Sequence, residues 1–299
     1  MEVVVLGAGS LGSLVGALLA RTHDVTLVGR DPHVAAVSER GLTVHGIETF
    51  EVAPSATTNV ADISGGLAVV AVKSFDTDAA GQDLATGSFD AVLSLQNGMG
   101  NEDTLASHLD SPVLAGTTTL GARLVEPGAV EWTGAGEVVL GPWTADVDCA
   151  RSAGDTLRAA GIRTRVESGP AMRDRLWQKL AVNAAINPTT ALAGIENGAV
   201  FAGPTAEIAG EAARETARVA RVQGVDLADE RAVRRAREVA TTTASNRSSM
   251  YQDVLAGRRT EIDAISGHVV SRSDSDTSVP VTRTLTALLR GWEFGRDLR

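Results

Sequence analysis

Apolar and polar positions follow two different rhythms along this chain. Up to residue 167, short apolar runs alternate with amphipathic ones. Val3–Leu6, Val25–Val28, Leu67–Val72 and Ala91–Leu95 are continuous apolar runs of strand length, which suits strands buried on both faces. Between them, Leu11–Ala20, Pro32–Arg40 and Asp76–Ala85 carry helix-period patterns. Leu42–Val52 alternates apolar and polar residues around Gly46 and predicts a hairpin. Val113–Leu140, rich in Thr, Val and Gly with a Pro127-Gly128 turn, predicts further strands. A helix over Val147–Ala160 and a strand over Ile162–Val166 close this region. Strand-helix alternation of this kind implies a mainly parallel sheet with helices on both faces.

After Ser168-Gly169-Pro170 strand signals fade, and helix-period patterns such as Glu207–Gln223 and Glu230–Ser245 run to the end. Two domains are expected: an α/β domain over 1–167 and an all-α domain over 168–299. Arg231–Arg237 is basic but flanked by Glu230 and Glu238, which reads as a solvated helix face.

Composition narrows the functional classes. A net charge of −10 argues against a general nucleic-acid binder. No apolar run is long enough to span a bilayer, and the first residues enter a strand without a basic leader, so a cytoplasmic protein is expected. The single cysteine, Cys149, has no internal disulfide partner, and its neighbours Asp146 and Asp148 disfavour a thiolate. No metal-ligand cluster is read from the chain. Monomer and homodimer both stay open. The acidic, lysine-poor composition fits a salt-rich cytoplasm, and a GC-rich genome explains the arginine bias equally well.

That bias isolates two residues. The chain has 27 Lys and Arg residues, and only Lys73 and Lys179 are lysine. Lysine can surrender a proton when its surroundings lower its pKa, whereas arginine stays charged.

The turn Gly7-Ala8-Gly9-Ser10-Leu11-Gly12 follows the first strand and opens a helix. Gly-x-Gly-x-x-Gly alone is a weak signal, but strand before and helix after is the context of a dinucleotide site. Arg30 follows the second strand, where a ribose 2′-phosphate would lie, so NADP(H) is favoured; Asp31 keeps NAD(H) possible. Lys73 and Asn97 end two later strands, at the edge where open α/β sheets bind ligands. Asn97, in Gln96-Asn97-Gly98-Met99-Gly100, is placed to bond a cofactor or a substrate.

Lys179, Asn183 and Asn187 are spaced four apart and form one helical stripe. Their neighbours Leu180–Val182 and Ala184–Ile186 are all apolar, so the helix is expected to be buried. A buried Lys-Asn-Asn stripe calls for polar partners, which a hydroxylated carboxylate substrate would supply. Asn246 and Ser249 lie at a further helical spacing. Between Glu261 and Asp263 the residues alone offer no choice.

With these motifs in order, the chain resembles the ketopantoate reductase family over nearly its whole length. The resemblance is carried by the glycine turn, Arg30, Val72-Lys73, Gln96–Gly100, Trp177-Gln178-Lys179-Leu180, Val182-Asn183, Ile186-Asn187-Pro188, Glu196-Asn197-Gly198, Asn246–Met250 and Thr260–Asp263. It implies an N-terminal Rossmann domain, a helical second domain, and NADPH-dependent reduction of 2-dehydropantoate (ketopantoate) to pantoate on the route to pantothenate and coenzyme A. It implies Lys179 as proton donor and Glu261 as a carboxylate orienting substrate or cofactor. It further implies Asn183, Asn187, Asn197, Asn246 and Ser249 at the substrate, and Lys73, Asn97 and Ala122 near the cofactor. A sister 2-keto-acid reductase and a non-catalytic NADP(H) sensor are the competing readings.

Overall fold

A computed structural model describes residues 1–299. Two compact units divide the chain: Met1–Gln96 with Asn101–Met172, and Asn97–Gly100 with Arg173–Arg299.

The first unit contains, in order, β1 (Glu2–Leu6), α1 (Ser10–Leu19), β2 (Asp24–Val28), α2 (His33–Arg40), β3 (Leu42–Gly46), β4 (Phe50–Val52), β5 (Ser55–Thr57), β6 (Gly65–Val70), α3 (Thr77–Leu84), β7 (Phe89–Ser94), α4 (Asn101–His108), β8 (Val113–Thr118), β9 (Gly121–Glu126), β10 (Ala129–Gly134), β11 (Val138–Pro142), α5 (Val147–Ala159) and β12 (Thr164–Val166). The main sheet has the order β12-β11-β8-β7-β6-β1-β2-β5, parallel except where β11 meets β8. Successive residues of a strand face opposite sides, and the core shows it. Val3, Val5, Leu67 and Val69 join the apolar cluster on one face of the sheet. Val4, Leu6, Ala68 and Val70 join the cluster on the other. This two-sided burial is why the strands read as unbroken apolar runs.

The strand order reverses at β1: β2 and β5 lie on one side, and β6, β7 and β8 on the other. That reversal creates a crevice at the carboxyl ends of β1 and β6. A second sheet, β4-β3-β10-β9, is built from the predicted hairpin and a later strand pair, with β10 parallel to β3.

The chain division falls within α6 (Gly169–Ala193), a 25-residue helix that continues through Pro188. The second unit then holds α7 (Thr205–Val222), α8 (Asp229–Thr242), α9 (Ser249–Leu255), one π-helical turn at Asp263–Gly267, α10 (His268–Arg272) and α11 (Pro280–Phe294). Its core is rich in small residues, with Ala184, Ala185, Ala213, Ala217 and Ala236 fully buried, so the helices pack closely. Glu215 of α7, fully buried, accepts the N–H groups of Val281 (2.9 Å) and Thr282 (2.7 Å). A carboxylate from another helix thereby satisfies the open amides of α11.

One expected element is corrected. Asn246 and Ser249 do not share a helix. Ser248 accepts the N–H of Tyr251 and caps α9, so Asn246 precedes the helix and Ser249 is its first residue.

Candidate active site

In the first unit, the glycine turn is built as its sequence demands. Gly7 has φ of +103°, and a Cβ there would lie 2.6 Å from the Val72 backbone nitrogen. A Cβ on Gly12 would lie 2.1 Å from the Gly7 carbonyl oxygen. The first glycine thus lets the loops after β1 and β6 touch, and the third lets α1 pack on the turn. Gly9 differs: a Cβ there would meet nothing within 4 Å. Protein packing does not explain that glycine, whereas a ligand approaching the backbone does. Gly9 is also the N-cap of α1 and no side chain caps it, so the first-turn amides and the positive end of the helix dipole are available to an anion. A dinucleotide pyrophosphate fits this cradle.

Ala8 and Gly7 both donate N–H to the Val28 carbonyl at 2.9 Å, tying the turn to the end of β2. Arg30 stands just beyond, with its side chain 87% exposed and its Nη2 3.1 Å from Asp76 Oδ2. Ser10 Oγ accepts the N–H of Leu124 at 3.0 Å, which sets β9 and its Ala122 against the start of α1. Leu11 is partly buried against the core of this unit.

Lys73 lies three residues past β6, at the head of a short 3₁₀ turn, Ser74–Asp76. A buried polar chain braces this turn against the end of β7. Thr77 Oγ1 donates to Asn101 Oδ1 (2.9 Å) and receives from Gln96 Nε2 (2.6 Å). The turn after β6 and the residues just past β7 are therefore held by one network of three side chains.

In the second unit, Lys179, Asn183 and Asn187 all lie on α6, as the spacing predicts. Lys179 and Asn183 are partly buried, and Asn187 is 6% exposed. Past Pro188, Thr190 Oγ1 contacts the Asn187 carbonyl (3.0 Å) and Ser248 Oγ (2.7 Å). This draws the segment before α9, and with it Ser249, onto α6. The Asn197 N–H donates to the Asn246 carbonyl at 2.9 Å. Asn187 is thus tied to the residue before Ser249 through Thr190, and Asn197 to Asn246 by one backbone hydrogen bond.

Asn197 has the sharpest signature of these. Its Nδ2 donates to Thr243 Oγ1 (2.9 Å), while its Oδ1 is buried with no hydrogen-bond partner. A buried amide oxygen left open is an acceptor site for a ligand hydroxyl or amine. Helical periodicity gave no hint of it, because Asn197 sits in a 3₁₀ turn after α6.

Glu261 and Asp263 stand in different surroundings. Asp263 is ringed by Arg259, Arg290 and Arg299. Glu261 is only 5% exposed and precedes the π-helical turn. Its neighbour Thr260 is anchored to Glu293 of α11 by two hydrogen bonds, 2.8 and 2.6 Å. The Asn97–Gly100 loop packs on the same turn. The Met99 N–H donates to the Ala264 carbonyl at 3.0 Å, and Gly98, with φ of +84°, lies so close that a Cβ would be 2.5 Å from that of Ala264. Trp177 and His268 meet edge-to-face at 5.8 Å, fixing α10 to α6 two residues before Lys179.

Cys149 plays no part in either cluster. Burial, with Asp146 and Asp90 nearby, pushes its thiol pKa up, which disfavours the reactive thiolate. A surface cavity of about 740 Å³ lined by Val37–Gly41 and Glu51–Ala56 contains none of the candidate groups. No helix is long and apolar enough to cross a membrane.

A parallel sheet with a glycine turn at its switch point, joined to a helical unit bearing a lysine and clustered asparagines, defines a nicotinamide-dependent oxidoreductase of the α/β class. Residues 3–145 match the family described as Ketopantoate reductase PanE/ApbA, and residues 171–293 match its C-terminal part. The chain belongs to the ketopantoate reductase family. The 2-dehydropantoate 2-reductase of Halobacterium salinarum is 43% identical, covering 97% of this chain and 98% of its own. That of Archaeoglobus fulgidus is 38% identical, covering 98% of each. The crystal structure of a PanE/ApbA family ketopantoate reductase from Ralstonia eutropha JMP134 superposes with a TM-score of 0.90 at 32% identity, covering 99% of this chain and 100% of that one. A D-mandelate dehydrogenase solved with NADH and anilino(oxo)acetate shares the fold, with a TM-score of 0.91 at 24% identity and full coverage of both chains.

Proposed function

We propose that this protein reduces 2-dehydropantoate to (R)-pantoate with NADPH, on the route to pantothenate and coenzyme A. The observation that carries this reading is the stripe on α6. A lysine, in a chain that otherwise uses arginine, heads two asparagines on a helix whose remaining residues there are apolar and buried.

The residues divide the work as follows. Gly7–Gly12 and the uncapped start of α1 hold the pyrophosphate, and Arg30 and Lys73 supply positive charge for a ribose 2′-phosphate. Ala122 and Asn97 border the cofactor. When bound, a reduced nicotinamide supplies the hydride for the keto carbon. Lys179 stabilises the negative charge growing on the carbonyl oxygen and delivers a proton to it from Nζ. Such general-acid help contributes roughly 10²–10⁴-fold in rate. Asn183, Asn187, Asn197, Asn246 and Ser249 bond the substrate carboxylate and hydroxyl, with the open Oδ1 of Asn197 accepting a hydrogen bond from the hydroxyl. Glu261, held by its anchored neighbour Thr260, orients the substrate or the cofactor ribose.

The test is a spectrophotometric assay of NADPH and NADH oxidation with ketopantoate and a panel of branched 2-keto acids. Fastest turnover of ketopantoate with NADPH is expected. Preference for another keto acid would make this a sister reductase on the same fold. Nucleotide binding without turnover of any keto acid would make it a sensor.

A further inference from the structure

Two carboxylates stand near Arg30, and the structure uses them in opposite ways. Asp31 adjoins Arg30 in sequence and would favour NAD(H) if it faced the ribose. Its Oδ1 instead accepts the N–H of Ala35 at 3.1 Å, closing the first turn of α2. Asp76 occupies the N-cap position of α3, where aspartate ordinarily accepts a first-turn amide. It makes no capping bond there. Its carboxylate turns to Arg30, with Oδ2 3.1 Å from Nη2. The bend that places it is local: the Asp76 N–H donates to the Lys73 carbonyl at 2.8 Å, folding it back beside the other candidate cation.

An ion pair this exposed adds little to stability, and forgoing a cap weakens α3. Neither local stability nor helix capping accounts for the orientation of Asp76. Its position does. It sets a negative charge on the guanidinium that follows β2, where the 2′-substituent of the adenosine ribose is read.

We infer that Asp76 is a specificity-determining residue: its carboxylate competes with a ribose 2′-phosphate for Arg30 and accepts a hydrogen bond from a ribose 2′-hydroxyl. This rests on the dinucleotide reading proposed above. Asp76 weakens the preference for NADPH that Arg30 and Lys73 create, and keeps NADH usable. The carboxylate that does so lies 45 residues beyond the one adjacent to Arg30 in sequence.

The test uses the full chain and needs no turnover. Calorimetric titration with 2′,5′-ADP and with 5′-ADP compares wild type, Asp76→Asn and Asp31→Asn, with KM for NADPH and NADH measured alongside. Asp76→Asn is expected to bind 2′,5′-ADP about fivefold tighter or more, the size of one nearby like charge in water. Its affinity for 5′-ADP should be unchanged or weaker, and its KM ratio should shift toward NADPH. Asp31→Asn, which keeps an acceptor oxygen for the Ala35 N–H, should melt close to wild type and leave the nucleotide ratio unmoved. No gain for 2′,5′-ADP in Asp76→Asn, or an equal gain for both nucleotides, overturns the assignment. So does a ratio that Asp31→Asn moves and Asp76→Asn does not. If wild type binds neither nucleotide, the dinucleotide reading itself fails, and this one with it.

Discussion

Glu293 accepts two hydrogen bonds from Thr260, one from its backbone N–H at 2.8 Å and one from its hydroxyl at 2.6 Å. Glu293 is fully buried on α11, and Arg299 Nε stands 2.9 Å from its other oxygen. The final helix and the chain terminus thus grip the residue next to Glu261. Glu293→Ala strands a buried amide and hydroxyl, which costs about 1–3 kcal/mol. Denaturant melts should show that loss. If Glu293 positions Glu261, turnover should fall further than the lost stability explains, and Glu293→Gln, which keeps an acceptor oxygen, should restore most of both. A melt change with kcat and KM untouched would leave Glu293 a purely structural residue.

The glycines of the turn should separate folding from binding. At Gly12 an added methyl meets the Gly7 carbonyl, and at Gly9 it meets nothing. Gly12→Ala is expected to destabilise by about 1–3 kcal/mol through overpacking. Gly9→Ala should melt as wild type does, yet lose most affinity for NADPH by fluorescence titration. Full binding by Gly9→Ala would mean that the cofactor backbone lies elsewhere.

His33 makes the first unit sensitive to acid. It is 5% exposed and sits between Ser13 Oγ, 3.0 Å from Nε2, and the Gly128 N–H, which donates to Nδ1 at 3.1 Å. With Nδ1 accepting, the ring proton belongs on Nε2, and the neutral imidazole joins α1, α2 and the start of β10. Burial lowers its pKa below the ordinary value of about 6.5. The unfolded chain therefore takes up the proton first as pH falls. The stability His33 contributes is complete above about pH 6.5 and is lost on acidification toward its folded-state pKa. Melting temperatures from pH 8 to pH 5 should drop more steeply for wild type than for His33→Gln. Parallel curves would remove His33 from this role.

Much of this architecture is written locally in the chain. The apolar runs of β1, β2, β6 and β7 are buried on both faces and announce themselves without alternation. The Lys179-Asn183-Asn187 stripe needs only helical geometry, and α6 supplies it. What stays hidden depends on distant partners. No local pattern says that β3 will pair with β10, more than 80 residues later. Asp31 and Asp76 exchange the roles their sequence positions suggest, because capping and pairing are decided by where a carboxylate is turned. Asn246 and Ser249 read as one helix until Ser248 is seen to cap α9 between them. Asn197 shows its chemistry only once its oxygen is found buried and open.

The assignment of Lys179 as proton donor is tested most directly by the turnover of Lys179→Arg in NADPH oxidation with ketopantoate, beside wild type. Arginine keeps the positive charge but holds its proton too tightly to give it up. Turnover should fall by about 10²-fold or more, with the melting temperature and the affinity for NADPH unchanged. Near-normal turnover in that variant would show that the proton comes from another group.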